Sequence, residues 1–242
     1  EIKLCKNCFN KKTKLKVIEM ICNKLVLEEN CFHGCSSLES FKIKSEQDIS
    51  LSPNNFDAVS SLKTFIVESN SSLKMMSNFL NNAKNLENID ISGNAVIINV
   101  NCFKNCSSLA SFSILNSGDV QIGAGQFEKC QELSEIRIEM RKLNENRKTP
   151  HVEFGQNCFS GAINLKKVIF NGGNIKISNN CFLECSLLTF LHLYDVENVT
   201  IDKSINCKSL SQVVIQSKTI VELTSGCFCE AKNLDFIDLT GK

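Results

Sequence analysis

Apolar and polar positions alternate at the end of one short segment that recurs along the whole chain. The segment starts at a leucine and finishes with two apolar residues separated by one position, as in Leu109, Phe112 and Ile114. This alternation predicts a β-strand with one buried face. A second, shorter alternation opens each copy, as in Val120 and Ile122. It predicts a short strand on another wall of the same unit.

An apolar anchor, usually phenylalanine, marks every copy of the pattern. The anchors are separated by 23 or 24 residues, with one interval of 32, and they are Phe9, Phe32, Phe56, Leu80, Phe103, Phe127, Phe159, Phe182, Ile205 and Phe228. Such regular spacing identifies an array of ten units. Because a unit of this length cannot bury its own apolar face, we expect the units to stack as the coils of a solenoid.

The segment between the anchor and the leucine predicts a third kind of structure. Its apolar groups recur three residues apart, as in Phe103, Cys106 and Leu109. This spacing favours one or two helical turns, with Asn101 as the N-cap. The predicted fold is therefore an α/β repeat solenoid, an arc of about ten leucine-rich-repeat coils. It has a parallel concave sheet, with short helical turns and short strands on the other walls.

The repeat pattern resembles that of a known family. Asn-Cys-Phe-x-x-Cys-x-x-Leu followed by the alternating strand, with a period of 23, is similar to the BspA-like (Treponema-type) leucine-rich repeats. The resemblance covers all ten units, although the proline that often follows the strand in that family is missing. It implies an extracellular protein that works in adhesion or ligand binding, from a bacterial surface or, more specifically, an anaerobic protist.

The fourteen cysteines fall mainly in two columns of the repeat. The position three before the leucine holds cysteine, alanine or valine in every unit but the first, which predicts small buried space-fillers. The position before the anchor also accepts polar residues, as at Asn55 and Gln126, which predicts partial exposure. We expect reduced thiols, although Cys8–Cys31 or Cys158–Cys181 could form an occasional disulfide between coils. Neither column indicates zinc or any cofactor.

Outward-facing positions of the longer strand form the predicted partner-binding surface. Units one to six place mostly charged and small polar residues there. Units seven to ten instead carry an apolar and aromatic patch on the concave face, formed by Ile169, Phe190, His192, Tyr194, Val214 and Phe236. Aromatic anchors in a polar surround are typical of protein interfaces, whereas the alternative is a contact with a flanking segment or sequence drift.

The interval of 32 residues contains an insertion near residues 140–150. It is basic, with Arg141, Lys142, Arg147 and Lys148 as a second candidate contact for a partner. The alternative is a solvated turn at a place where the array tolerates extra length. With a net charge of +1 over 242 residues, the chain has no overall positive potential that would attract nucleic acid. No apolar run is long enough for a membrane helix.

Catalytic chemistry has little support in the sequence. The three histidines, His33, His151 and His192, occupy unlike positions in separate units, and no phosphate loop or nucleophile motif is present. We therefore expect a non-enzymatic protein-binding module at the cell surface or secreted, with an intracellular structural scaffold as the alternative. Three Asn-x-Ser/Thr sequons support secretion only weakly. The first and last units have no polar cap, which predicts one solenoid domain over 1–242 that belongs to a longer chain or is covered by another partner.

Overall fold

The computed structural model describes residues 1–140, 149–203, 205 and 207–241. Each of ten coils contributes a short strand, a turn segment and a longer strand, giving twenty strands numbered in chain order. The short strands are β1 (Ile2–Leu4), β3 (Leu25–Leu27), β5 (Ile49–Leu51), β7 (Ser72–Met75), β9 (Ala95–Ile98), β11 (Val120–Ile122), β13 (His151–Phe154), β15 (Asn174–Ile177), β17 (Val199–Ile201) and β19 (Val221–Leu223). The longer strands are β2 (Val17–Cys22), β4 (Ser40–Ser45), β6 (Thr64–Ser69), β8 (Asn88–Gly93), β10 (Ser111–Asn116), β12 (Glu135–Met140), β14 (Lys167–Asn171), β16 (Phe190–Val196), β18 (Gln212–Ser217) and β20 (Phe236–Thr240).

The strands form two parallel ten-stranded sheets that enclose the core. The short strands make one sheet in the order β1 to β19, and the longer strands make the other in the order β2 to β20. We name these the short-strand sheet and the long-strand sheet. Equivalent repeat positions pair across neighbouring strands, for example Phe112 with Ile136. The predicted array of ten stacked coils is therefore confirmed.

The anchors lie one above the next, including across the long interval. The ring centroids of Phe103 and Phe127 are 5.5 Å apart, and those of Phe127 and Phe159 are 5.3 Å apart. Stacked rings at this separation add favourable contact beyond the burial of their area. The insertion therefore leaves the stacking of coils six and seven intact.

The predicted helical turns are wrong, because the described residues contain no helix. Successive turns replace it: the Cys106 N–H donates to Phe103 O at 3.3 Å, and the Leu109 N–H donates to Cys106 O at 3.1 Å. Asn101 and Asn105, on either side of the anchor, have φ values of 58° and 62°. Two left-handed residues four positions apart prevent a helix from forming across the anchor. Asn101 is therefore no N-cap; it is asparagine because this residue tolerates the left-handed region.

The turn segments also bond to one another and form a third wall. The Leu80 N–H donates to Cys102 O in the next coil at 2.9 Å, and the Asn105 N–H donates to Glu128 O at 2.9 Å. Backbone groups that a helix would satisfy internally are thus satisfied between coils. Every wall of the solenoid contributes to stacking.

The core is one continuous column between the walls. In the fifth coil Phe103, Leu109, Phe112 and Ile114 are at most 1% exposed. Each such side chain contributes about 1.5–3 kcal/mol gross, so the coils stabilise each other mainly by apolar burial. In the last coil the equivalent strand residues, Ile237 and Leu239, are about half exposed.

Candidate functional site

The cysteine column three before the leucine is buried, as predicted. Cys35, Cys106, Cys130, Cys185 and Cys207 are at most 1% exposed. Each thiol donates a hydrogen bond to the carbonyl oxygen of the anchor residue in the preceding coil, with sulfur-to-oxygen distances of 3.1 to 3.3 Å. These residues fill core space and add a weak bond between coils.

Apart from Cys8 in the first coil, the described residues of the column before the anchor are also buried, so the predicted partial exposure is wrong. Cys102, Asn55 and Gln126 are 0% exposed. The Cys102 thiol donates to Asn99 O at 3.2 Å, and the Asn55 amide donates to Ser52 O at 2.7 Å, which is the same bond to the residue three positions earlier. The side-chain oxygens of Asn55 and Gln126 also accept the N–H of Cys31 and Cys102 in the preceding coil, at 2.8 and 3.0 Å. Polar residues are accepted here because they are fully hydrogen-bonded.

Burial makes the core thiols poor nucleophiles and poor metal ligands. All fourteen cysteines carry free thiols, and only Cys5, Cys8 and Cys229 are exposed. Desolvation raises the pKa of Cys102 and Cys130 to about 12, and the thiolate is the reactive form. Over the described residues, no three His, Cys, Asp or Glu side chains come together as a metal site.

The aromatic patch comes together on the outward face of the long-strand sheet. Strand register places Ile169 beside His192 and His192 beside Val214. Gln212 separates Phe190 from Phe236 in the neighbouring row. Phe190, His192 and Tyr194 follow one another on β16, with ring centroids 5.4 and 5.0 Å apart. The predicted patch residues are thus neighbours in the structure.

Exposure differs among the patch residues. Phe236 is 50% exposed, whereas Phe190, His192, Tyr194 and Val214 are half-buried. Ile169 is 6% exposed, so its expected exposure is wrong. It lies between Arg137 and His192, whose larger side chains flank it in the same row. The accessible part of the patch is therefore the aromatic ridge of β16 together with Phe236.

A β-bulge lies beneath the end of this ridge. Register between β16 and β18 shifts between Leu193 and Val196, and Asp195 has a φ of 53°. The Asp195 carboxylate pairs with Lys218 Nζ at 3.0 Å. Bulges bend a strand and redirect its side chains, here next to Tyr194, the one tyrosine of the chain. The neighbouring Gly172-Gly173, both left-handed, was the sequence signal for irregular backbone at this corner.

The patch has an apolar centre with few charges. Burial, and secondarily the Lys167 ammonium, lower the pKa of His192, while Asp238 opposes them. His192 Nε2 is buried and has no hydrogen-bond partner among the described residues. Lys167 Nζ lies 6.0 Å from the centroid of the Phe190 ring, within cation–π range. His192 is therefore uncharged at neutral pH, and the ridge presents mainly ring surface.

The same face is mostly polar over the first six coils, although Val17, Ile21 and Leu115 are also exposed there. Lys42 pairs with Glu19 at 3.6 Å and Lys44 with Glu68 at 3.7 Å. Further along the sheet, Arg137 contacts Glu139 at 2.7 Å. Exposed pairs of this kind contribute at most about 1 kcal/mol each. The face is thus divided into a polar half and an aromatic half.

The other predicted contact was the basic insertion. Arg141, Lys142, Arg147 and Lys148 lie outside the described residues. The chain leaves β12 at Met140 and returns at β13.

The sequence analysis missed an apolar groove on the turn wall. In the ninth coil five residues lead from the anchor Ile205 to Leu210, whereas the other coils have six. Beside this shorter coil lies a groove of about 740 Å³, lined by Ile163 and Leu183 together with the charged residues Glu184, Lys208 and Glu230. Other coils carry polar residues at the position of Ile163, for example Ser107 and Gln131, so comparison of repeat positions could have found it.

Two parallel sheets, an apolar anchor in every coil and a divided outer face define a leucine-rich-repeat solenoid of the protein-interaction type. A family model for the BspA type leucine-rich-repeat region matches residues 2–94, 26–147 and 152–242, with six copies. The chain belongs to the BspA-type leucine-rich-repeat family. None of the curated proteins compared with it matches. The described residues include no helix long and apolar enough to cross a membrane.

Proposed function

We propose that this protein is a non-enzymatic adhesion module at the cell surface, which binds a protein partner through the aromatic half of the long-strand sheet. The observation that carries the proposal is the alignment of Phe190, His192 and Tyr194 on one strand, with Phe236 two strands away. Clustered aromatic side chains supply most of the binding energy in many protein interfaces.

The surroundings of the ridge support an interface. Gln212, Gln216 and Asp238 provide polar groups beside the rings, as in the rim of an interface. Large rings on a rigid sheet lose little conformational freedom on binding. The partner would be a protein on a host or neighbouring cell, in keeping with the family.

The insertion supplies a proposed second contact. Arg141, Lys142, Arg147 and Lys148 suit a carboxylate-rich segment of the same partner, because arginine binds carboxylates through two parallel hydrogen bonds.

A pair of matched triple variants tests the proposal. The test variant carries alanine at Phe190, Tyr194 and Phe236. The control variant carries alanine at Lys42, Glu68 and Asp90, on the polar half of the same face. Labelled protein is titrated onto intact cells, before and after protease treatment of those cells. We expect the aromatic variant to bind at least about tenfold more weakly, since each such truncation commonly costs over 1 kcal/mol.

The control variant should bind normally, and both should melt within a few degrees of the parent protein. Equal binding by the two variants would show that the patch is not part of the interface. Binding that survives protease treatment of the cells would mean that the partner is not a protein.

The second candidate function is an intracellular scaffold subunit. The many free thiols favour it, because disulfides form mainly in oxidising compartments. Protease added to intact native cells decides between the locations, since only a surface protein would be digested.

A further inference from the structure

Three glycosylation sequons of the chain differ sharply in their structural setting. They begin at Asn70, Asn105 and Asn198. An N-linked glycan is bulky and must point into solvent. We propose that Asn70 is an N-glycosylation site and that the other two are not compatible with a glycan on the folded chain. The inference rests on the proposed cell-surface location, because glycan transfer occurs in the secretory compartment.

Asn70 lies at an exposed corner between β6 and β7. Its backbone N–H donates to Ser45 O at 2.9 Å, so the backbone is fixed. The side-chain amide donates only to the carboxylate of Glu46, which is itself exposed. A flexible surface carboxylate can move away at little cost, because exposed polar contacts contribute little to stability. A glycan on Nδ2 therefore has open solvent in front of it.

Asn105 is held inside the turn wall. It is half-buried, has a left-handed backbone with a φ of 62°, and precedes the buried Cys106. Its Nδ2 donates to Asn82 Oδ1 in the preceding coil at 2.8 Å. A sugar on this nitrogen would crowd the Asn82 side chain, which contacts Asn105 from the preceding coil.

Asn198 has a similar constraint beside the short-strand sheet. Its Nδ2 donates to Asn174 Oδ1 at 2.7 Å, and its Oδ1 accepts from the Thr219 hydroxyl. The residue is half-buried between these neighbours. Both ends of its amide are therefore used in stacking coils eight, nine and ten.

The chemistry of the modification is a group transfer. Asn70 Nδ2 forms a bond to the anomeric carbon of an oligosaccharide carried on a lipid pyrophosphate. The carbon–oxygen bond to the pyrophosphate breaks, the lipid pyrophosphate leaves with the electron pair, and Nδ2 loses one proton. In the folded protein the Ser71 and Ser72 hydroxyls both donate to Asp48 at 2.7 Å. Because the Ser72 hydroxyl of the sequon is occupied in this way, the oligosaccharide must be transferred before the chain folds. Folding then decides at which asparagine a glycan can be accommodated.

A glycan at Asn70 would leave the aromatic patch free. Asn70 borders a groove of about 770 Å³ on the polar half of the long-strand sheet, lined in part by Lys44, Glu68 and Asp90. Five strand spacings separate β6 from β16, or roughly 24 Å at about 4.8 Å each. The sugar would cover polar surface and direct a partner toward the aromatic half.

To test the inference, the chain is fused to a signal sequence and secreted from a eukaryotic host cell. Intact mass of the folded secreted protein is measured before and after enzymatic removal of N-glycans. We expect one glycan, lost completely in Asn70→Gln and in Ser72→Ala, and retained in Asn105→Gln and Asn198→Gln. Ser72→Ala keeps the asparagine, so it separates loss of the sequon from loss of the side chain.

Absence of a glycan at Asn70, or a glycan on Asn105 or Asn198 in folded protein, would overturn the inference. The native protein is then isolated from its source and weighed in the same way. A host-glycosylated Asn70 that is bare in the native protein would refute passage through a eukaryotic secretory compartment, while leaving the structural competence of the site intact.

Discussion

The Cys106 thiol donates a hydrogen bond to the carbonyl oxygen of Leu80, one coil earlier, with a sulfur-to-oxygen distance of 3.3 Å. The bond repeats at four other coils, yet alanine occupies the same position as Ala83, Ala162 and Ala231. The thiol is therefore a space-filler with one weak bond, which the protein can lose without losing the fold.

Exchange of this thiol for alanine should be tolerated. Cys106→Ala removes one sulfur and a weak bond, so we expect a loss of about 1 kcal/mol in the free energy of unfolding. Leu109→Ala in the same coil creates a larger cavity and should cost about 2–5 kcal/mol. Urea unfolding followed by circular dichroism measures both. Equal losses would mean that Cys106 does more than fill space.

Alkaline pH should destabilise the protein through its buried thiols. Burial raises the pKa of Cys102, Cys130 and Cys181 to about 12, and raises those of Cys106, Cys158 and Cys185 well above the ordinary value. Above about pH 8.5 an unfolded chain releases these protons while the folded chain keeps them, so stability falls as pH rises. Each thiol contributes about 1.4 kcal/mol per pH unit over that window.

Melting temperatures between about pH 7 and pH 10 test this slope. The double variant Cys106→Ala/Cys130→Ala should show a shallower decline than the parent protein. Cys5→Ala, which changes an exposed thiol, is the control and should follow the parent curve. If the melting temperature of the double variant falls with pH as steeply as that of the parent protein, the buried thiols do not govern alkaline stability.

Substitutions at Asn101 distinguish a left-handed turn from a helix cap. Its φ is 58°, and Gly125 occupies the equivalent position one coil later with a φ of 64°. Asn101→Gly should change stability by less than about 0.5 kcal/mol, whereas Asn101→Ser and Asn101→Ala should each lose about 1 kcal/mol or more. Thermal or urea unfolding of the three variants gives the comparison. A helix cap would accept serine as readily as asparagine, so a neutral Asn101→Ser would contradict the turn assignment.

Gln126 should be important for stability despite being a polar residue in a core. Its Oε1 accepts the Cys102 N–H at 3.0 Å, and its Nε2 donates to Asn99 O. Gln126→Leu leaves these buried groups unsatisfied and should cost about 1–3 kcal/mol. Gln121→Leu makes the same chemical change at an exposed site on the short-strand sheet and is the control. Similar losses at the two sites in urea unfolding would show that the buried bonds are unimportant.

Periodicity predicted the coils, both strands and the buried faces, because stacking requires the same apolar positions in every unit. It did not separate helix from turn, since spacing of three, as in Phe103, Cys106 and Leu109, suits both. Gly125 and Gly226, in the asparagine column, were the overlooked sign of left-handed backbone. Burial of the column before the anchor was likewise indicated by Phe79, which is 1% exposed.

The aromatic patch was predictable from strand register alone, because equivalent positions of parallel strands lie side by side. The covering of Ile169 could not be predicted in this way, because it depends on the size of the side chains in neighbouring coils. The bulge at Asp195 had only an indirect sequence signal, in Gly172-Gly173.

Stacking in single file also has a mechanical meaning. Each coil pairs only with the coils before and after it, so tension along the stack would detach one coil at a time and leave the rest in place. Each detached coil would lengthen the molecule by roughly 80 Å, for 23 residues at about 3.5 Å each. A tether made in this way yields in steps and absorbs work before it breaks.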